Sequence, residues 1–191
     1  MRIIAGEFKG RTLKAPTWDG LRPTSDRLRE TLFNILGDLD GLQVLDVCAG
    51  TGALGLEALS RGAAHAVFLE RDPRAVRLIE ENAAHCRATN RCAIIRATAR
   101  QALDDALGGP FDLVLLDPPY DDPDRGAMVT LAAAHLAAGG RLVLEHAVRV
   151  APPDGGPLTP VRTVRAGDSA LTFYRAVPAT RAQEAGVDDA Q

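Results

Sequence analysis

The sequence has no apolar run long enough to cross a bilayer, which takes about 20 consecutive apolar residues in a helix. Its opening stretch, MRIIAGEFKG, lacks the apolar centre of an export signal, so a cytoplasmic protein is expected. Cysteine is scarce. Cys48, Cys86 and Cys92 are odd in number and have no metal-ligand spacing, so reduced thiols are expected. Histidine is equally thin: His65, His85, His135 and His146 lie far apart and form no ligand motif. Neither a metal centre nor a Cys/His nucleophile is expected. A large excess of one charge is missing too, the formal net charge being −3. Overall composition therefore does not mark a nucleic-acid binder. There are no internal repeats.

What is present is an ordinary globular composition. The chain of 191 residues is 46% hydrophobic and 25% charged, enough for one domain with a sizeable core. Its charge is unevenly spread. Residues 1–37 hold Arg2, Lys9, Arg11, Lys14, Arg22, Arg27 and Arg29 against Glu7, Asp19, Asp26 and Glu30, a local positive excess in a negative chain. Lys9, Arg11 and Lys14 are the candidates for contact with nucleic-acid phosphates. Charge alone does not separate that reading from a solvated face.

The stretch Leu42–Gly55, LQVLDVCAGTGALG, organises the rest. Valine and leucine at its start suit a buried strand, and Asp46 lies near that strand's end. Gly50, Gly52 and Gly55 follow, then ALGLEALS reads as a helix. Strand, glycine loop and helix open a nucleotide-binding βαβ unit. The Gly50-x-Gly52-x-x-Gly55 spacing matches the dinucleotide fingerprint, with Glu70 at about the expected distance of ~20 residues, so a dehydrogenase is one reading. Asp46 argues against it. A carboxylate beside the loop would repel a pyrophosphate but suits a ligand with a positive end, such as the amino group of S-adenosylmethionine. The plainer alternative is that Asp46 caps the loop.

Around this unit the pattern is regular. Residues 1–15 read as two short strands, RIIAG and GRTLKA, turning near Lys9-Gly10. Thr24 or Ser25 can cap a helix whose apolar face is Leu28, Leu32, Phe33, Ile35 and Leu36, ending at Gly37. Further strands are expected at 66–70, 92–97, 111–117 and 140–145. Helices are expected from Pro73 to about Arg87, after the third strand to Leu107, and over about 125–136. A late hairpin pairs 158–165 with 170–177 across Ala166-Gly167-Asp168. One domain is thus expected over 1–177, with 1–37 as an N-terminal hairpin and helix and 42–177 as the core. Residues 178–191 read as a frayed tail. The fold class is α/β: a Rossmann-like, mostly parallel sheet with helices on both faces. If strand order reverses after the third strand, strands one and four flank the switch point, and Asp46 and Asp117 share one crevice.

Strand four ends in Asp117-Pro118-Pro119-Tyr120. The prolines stiffen the turn and hold Asp117 and Pro118 extended. A carboxylate, a fixed carbonyl and an aromatic ring are presented together. That set suits a planar base with an exocyclic amine: the two oxygens accept the amine hydrogens and the ring stacks on the base. The alternative is a rigid turn with a surface tyrosine.

Together these motifs resemble S-adenosylmethionine-dependent amino methyltransferases of the class I, Rossmann-like kind. More narrowly, the chain resembles the bacterial RsmD family of 16S ribosomal RNA guanine-N2 methyltransferases. The residues carrying this are RIIAG (2–6), KGR (9–11), LRPTSDRLRETLFN (21–34), LDVCAGTGALGLEALSRGA (45–63), Glu70 with Asp72, and DPPY (117–120). The resemblance implies S-adenosylmethionine as cofactor and, as partner, 16S ribosomal RNA within the small subunit or its assembly intermediate. It implies that Asp46, Gly50 and Gly52 line the methionine end of the cofactor and that Glu70 binds its ribose hydroxyls. Ala49, Arg71, Thr98 and Ala99 are further cofactor positions, and Arg22, Pro23 and Thr24 would pack over its mouth. Asp117, Pro118, Pro119 and Tyr120 would hold the target guanine. There are two departures. Thr98 stands where the family commonly has Asn or Asp against the adenine, and Ala166 replaces a common aromatic. DNA adenine-N6 methylation uses the same pocket chemistry and is the nearest rival. A non-catalytic S-adenosylmethionine-binding module is the rival from another class.

Overall fold

The computed structural model describes residues 1–18, 24–105 and 107–176. Helix α1 (Asp26–Leu36) precedes β1 (Gln43–Val47), α2 (Ala53–Ser60), β2 (His65–Glu70), α3 (Pro73–His85), β3 (Cys92–Arg96) and α4 (Ala99–Asp104). Then come β4 (Phe111–Leu116), α5 (Arg125–Ala133), β5 (Leu136–Ala147), β6 (Leu158–Ala166) and β7 (Ser169–Ala176). The sheet order is β3-β2-β1-β4-β5-β7-β6, with the first five strands parallel and β7 antiparallel to both neighbours. The strand order does reverse after β3, which sets β1 beside β4.

The central strands are apolar on both faces because both faces are covered. Val44, Phe68, Leu115 and Val143 pack towards α1, α2 and α3. Leu45, Leu69, Val114 and Leu144 pack towards α4 and α5. The sheet edge at β6 is exposed, but Arg162, Arg165, Pro160 and a register irregularity at 160–162 make it a poor template for further pairing.

Three expectations need correction. Residues 1–15 turn back on themselves as the expected hairpin, but it is shorter than two full strands: one Arg2–Thr12 bridge, with the Ile3 N–H donating to the Arg11 carbonyl, the Gly10 N–H to the Ile3 carbonyl and the Leu13 N–H to the Met1 carbonyl. Other donors of the segment are spent on α2. The N–H groups of Ile4 and Ala5 donate to the Glu57 carboxylate, that of Glu7 to the Ser60 carbonyl, and that of Phe8 to Ser60 Oγ. Strand β5 begins at Leu136 rather than Gly140, and α5 stops at Ala133, because Phe111 already pairs with Leu136 before the ladder shifts register. Helix α4 stops at Asp104, short of Leu107.

Candidate active site

A cavity of about 930 Å³ opens at the C-terminal ends of β1, β2, β4 and β5. Pairing register explains why acids gather there. Val47 pairs with both Leu69 and Leu116, and Leu116 with Leu144. One step further, Glu70, Cys48, Asp117 and Glu145 form a row across four strand ends. Glu70, Asp117 and Glu145 continue the alternation of Phe68, Leu115 and Val143, so they project to the α2 side of the sheet. Asp46 continues that of Val44 on the same side.

Asp46 is 1% exposed. Its Oδ2 accepts the Gly55 N–H at 2.8 Å, while Oδ1 is buried without a hydrogen-bond partner. Burial, reinforced by the Glu70 charge and opposed by the Gly55 N–H, pushes its carboxyl up to about 8. The loop-cap reading therefore holds for one oxygen, and the other is buried without a hydrogen-bond partner in the protein. The glycines are dictated by space. Gly52 begins α2 in the left-handed region at φ 75°. A Cβ on Gly55 would stand 2.4 Å from the Phe68 ring and 3.1 Å from Asp46 Oδ2.

Glu70 holds the other side of the loop. Its Oε2 accepts the Gly50 N–H at 2.9 Å, and Oε1 accepts those of Arg71 and Asp72 at 2.7 and 2.9 Å. Three of a carboxylate's roughly four acceptor positions are filled, leaving one direction for a ligand hydroxyl. Ala49, Arg71, Thr98 and Ala99 all line the cavity. Thr98 is itself the cap of α4, accepting the Gln101 N–H at 3.3 Å and donating to Gln101 Oε1 at 2.8 Å.

Across the cavity, Asp117 directly follows β4, its N–H donating to the Val47 carbonyl. Its Oδ2 accepts the Thr24 hydroxyl at 3.0 Å. Ser25, not Thr24, caps α1, which leaves Thr24 available for this contact. Burial first, then the Glu145 charge, raise the Asp117 carboxyl well above the ordinary range, with Asp46 adding and the Thr24 hydroxyl opposing. Tyr120 is not a loose surface tyrosine. Its hydroxyl donates to Glu145 Oε1 at 3.0 Å and lies 2.5 Å from Ser169 Oγ, and its carbonyl accepts from Arg125 Nη1 at 2.9 Å. Pro118 and Pro119 line the same cavity. The Cys48 thiol is pushed up to about 12 by burial and by the Glu70, Asp117, Asp122 and Asp46 charges, which removes it as a nucleophile.

The family model described as Conserved hypothetical protein 95 matches residues 1–175. The chain belongs to that family, the RsmD family. It is 36% identical over 181 residues to YlbH of Bacillus subtilis, named as a candidate rRNA methyltransferase, covering 92% of this chain and 98% of that one. To the ribosomal RNA small subunit methyltransferase D of Escherichia coli it is 45% identical over 121 residues, 63% of this chain and 60% of that protein. Among solved structures, a candidate methyltransferase yhhF from Escherichia coli superposes with TM-score 0.82 at 36% identity, over 92% of this chain and 97% of that one. The fold is that of the class I S-adenosylmethionine methyltransferases. An RNA methyltransferase from Salinibacter ruber, solved with S-adenosyl-L-homocysteine, shares that fold at 17% identity and TM-score 0.66, over 85% of this chain and 98% of that one.

The residues of this RsmD-family protein fit such a cofactor. The orphaned Asp46 Oδ1 suits an ammonium group, the glycine loop gives close backbone approach, and Glu70 retains an acceptor position. Other expected positions are scattered. Lys14 pairs with Glu81 at 2.9 Å, Arg11 lies 5.2 Å from the Phe8 ring centroid and donates to the His85 carbonyl, and Lys9 is exposed, all on the segment docked against α2 and α3. Arg22, Pro23 and the 178–191 tail lie outside the described residues. Sequence reading missed Glu145, Ser169 and Trp18, which line the cavity. An acid near the end of the fifth strand, as in the first and fourth, was the available signal for Glu145. No such signal marks Ser169 or Trp18.

Proposed function

We propose that this protein transfers a methyl group from S-adenosylmethionine to the exocyclic N2 amine of a guanine in 16S ribosomal RNA of the small subunit. The observation that carries the reading is the placement of Asp117-Pro118-Pro119-Tyr120 opposite the Asp46–Gly52 loop in one cavity at the switch point. The relatives' names, which speak of ribosomal RNA and of the small subunit, support the substrate. When bound, S-adenosylmethionine supplies an electrophilic methyl group on its sulfonium. Asp46, the glycine loop and Glu70 hold the cofactor end of the cavity. Asp117 and the Pro118 carbonyl accept the amine hydrogens, turning the nitrogen lone pair towards the donor. Guanine's amine is a poor nucleophile because its lone pair is delocalised into the ring. Hydrogen bonds that favour its pyramidal form therefore stabilise the transition state more than the ground state. The methylated amine is strongly acidic, so these acceptors orient rather than deprotonate beforehand. The base leaves its stack to enter, at a cost of about a few kcal/mol. Lys9, Arg11 and Lys14 are proposed as phosphate contacts, and a cytoplasmic location accompanies a ribosomal substrate.

The deciding experiment offers labelled cofactor with small subunits from cells lacking the protein, and with duplex DNA. Mass mapping should find one N2-methylated guanine in 16S RNA and no label in DNA. Label in adenine of DNA would overturn the reading.

Asp46 makes cofactor binding pH-dependent. Its folded value of about 8 exceeds the ordinary 3.8, so the free protein holds a proton there at neutral pH. The stability this group contributes is full below 3.8 and is lost as pH rises through 8. A ligand ammonium selects the ionised carboxylate, so binding expels that proton. Cofactor affinity should therefore rise between about pH 6 and 7.5, approaching tenfold per unit. Calorimetry in buffers of different ionisation heat should register proton release, and Asp46→Asn should abolish it. Flat affinity in the parent would remove the ammonium from Asp46.

A further inference from the structure

Glu145 stands next to Asp117 in the row of strand ends, one step past the Leu116–Leu144 pair, and projects to the same face. Neighbouring strands lie about 4.8 Å apart, so the two carboxyl groups are close. Glu145 is 6% exposed and lines the cavity. Its Oε1 accepts the Tyr120 hydroxyl at 3.0 Å, and Ser169 Oγ at the start of β7 meets the same hydroxyl. The ring on the proline turn is thus tied at its far end to two strands of the sheet.

We propose that Glu145 is a positioning residue for the methyl transfer: it fixes the Tyr120 ring on which the target base stacks, and its charge governs whether Asp117 enters the reaction ionised. The inference rests on the guanine-N2 reading above. An ionised Asp117 forms charge-assisted hydrogen bonds, roughly twice as strong as neutral ones, so the ionised form is the faster one. Among the described residues that line the cavity, acids outnumber cations. Asp46 and Cys48 approach from β1, Glu70 from β2, Glu145 from β5, Asp168 from the β6–β7 turn, and Tyr120 and Asp122 from its own turn. Among the described residues, Arg71, Arg74 of α3 and Arg100 of α4 line the same cavity, and Arg125 of α5 donates from Nη1 to the Tyr120 carbonyl. Thr24 contributes only a neutral hydroxyl. Burial and then the Glu145 charge are the leading causes of the high Asp117 value.

Glu145→Gln keeps an oxygen for the Tyr120 hydroxyl and removes the charge. Tyr120→Phe keeps the ring and the charge and removes the tie. The rate of single-turnover methylation of small subunits from cells lacking the protein is measured against pH for both variants. In parallel, carbon-detected NMR follows the Asp117 carboxyl titration in the free protein, which needs no substrate. Glu145→Gln should move the acid limb of the profile and the NMR midpoint down by about 1 pH unit. Tyr120→Phe should lower the rate at every pH and leave the limb in place. A purely structural Glu145 would lower activity without moving either midpoint. Parent-like midpoints in Glu145→Gln would overturn the charge half of the proposal, and a parent-like rate in Tyr120→Phe the ring half. An NMR shift with no transfer to RNA by the parent would support the carboxyl pair and sink the guanine-N2 reading.

Discussion

Replacing Asp117 by alanine should lower single-turnover methyl transfer by about 10²–10³, the usual effect of removing one hydrogen bond made to a transition state. Asp117→Asn should retain part of the activity. The amide oxygen can still accept an amine hydrogen, and the contact from Thr24 Oγ, 3.0 Å in the parent, can be kept. The asparagine side chain does not ionise, so its rate should match the acidic plateau of the parent and stay flat as pH rises. Cofactor affinity, measured in parallel, should change little in the asparagine variant, because Asp46, Glu70 and the glycine loop are untouched. If both variants are equally inactive while both bind cofactor, the negative charge itself is required and the orienting role is wrong. If alanine is as active as the parent, the DPPY turn does not hold the substrate.

A second large effect is expected far from the chemistry. Glu57 lies in the middle of α2 and is fully buried. It accepts the N–H groups of Ile4 at 2.7 Å and Ala5 at 3.1 Å, and Arg61 Nε at 2.8 Å. Glu57→Ala leaves two backbone donors and a mostly covered guanidinium without their acceptor. Breaking a buried pair from one side costs about 3–5 kcal/mol. Arg61 is 16% exposed, so about 3 kcal/mol is expected for stability in urea unfolding, at the low end of that range. Glu57→Gln keeps one oxygen acceptor and should lose clearly less. A loss below about 1 kcal/mol in Glu57→Ala would mean the N-terminal segment does not depend on this anchor.

The sequence by itself determined what depends on neighbours along the chain. Alternation of apolar strands and amphipathic helices marked the α/β order, and right-handed crossovers narrowed the strand order to a few choices, among them the reversal that sets β1 against β4. Gly52 and Gly55 stand where backbone geometry and the Phe68 ring leave no room for a side chain, so their spacing was legible. The prolines after Asp117 restrict their own dihedrals whatever surrounds them. Tertiary structure alone decided which long-range partners those local pieces meet. The Thr24–Asp117 contact spans 93 residues, and Tyr120 reaches Glu145 and Ser169 only because β5 and β7 pair behind it. Residues 1–15 carry the turn signals of a hairpin and bond across it, yet the N–H groups of Ile4, Ala5, Glu7 and Phe8 go to Glu57 and Ser60, more than fifty residues away. Within α2, Glu57 reads as an ordinary helix former. Its role comes from burial, which turns an unpaired charge or N–H group from a solvated one into a costly one, and burial is a property of packing that no local pattern encodes.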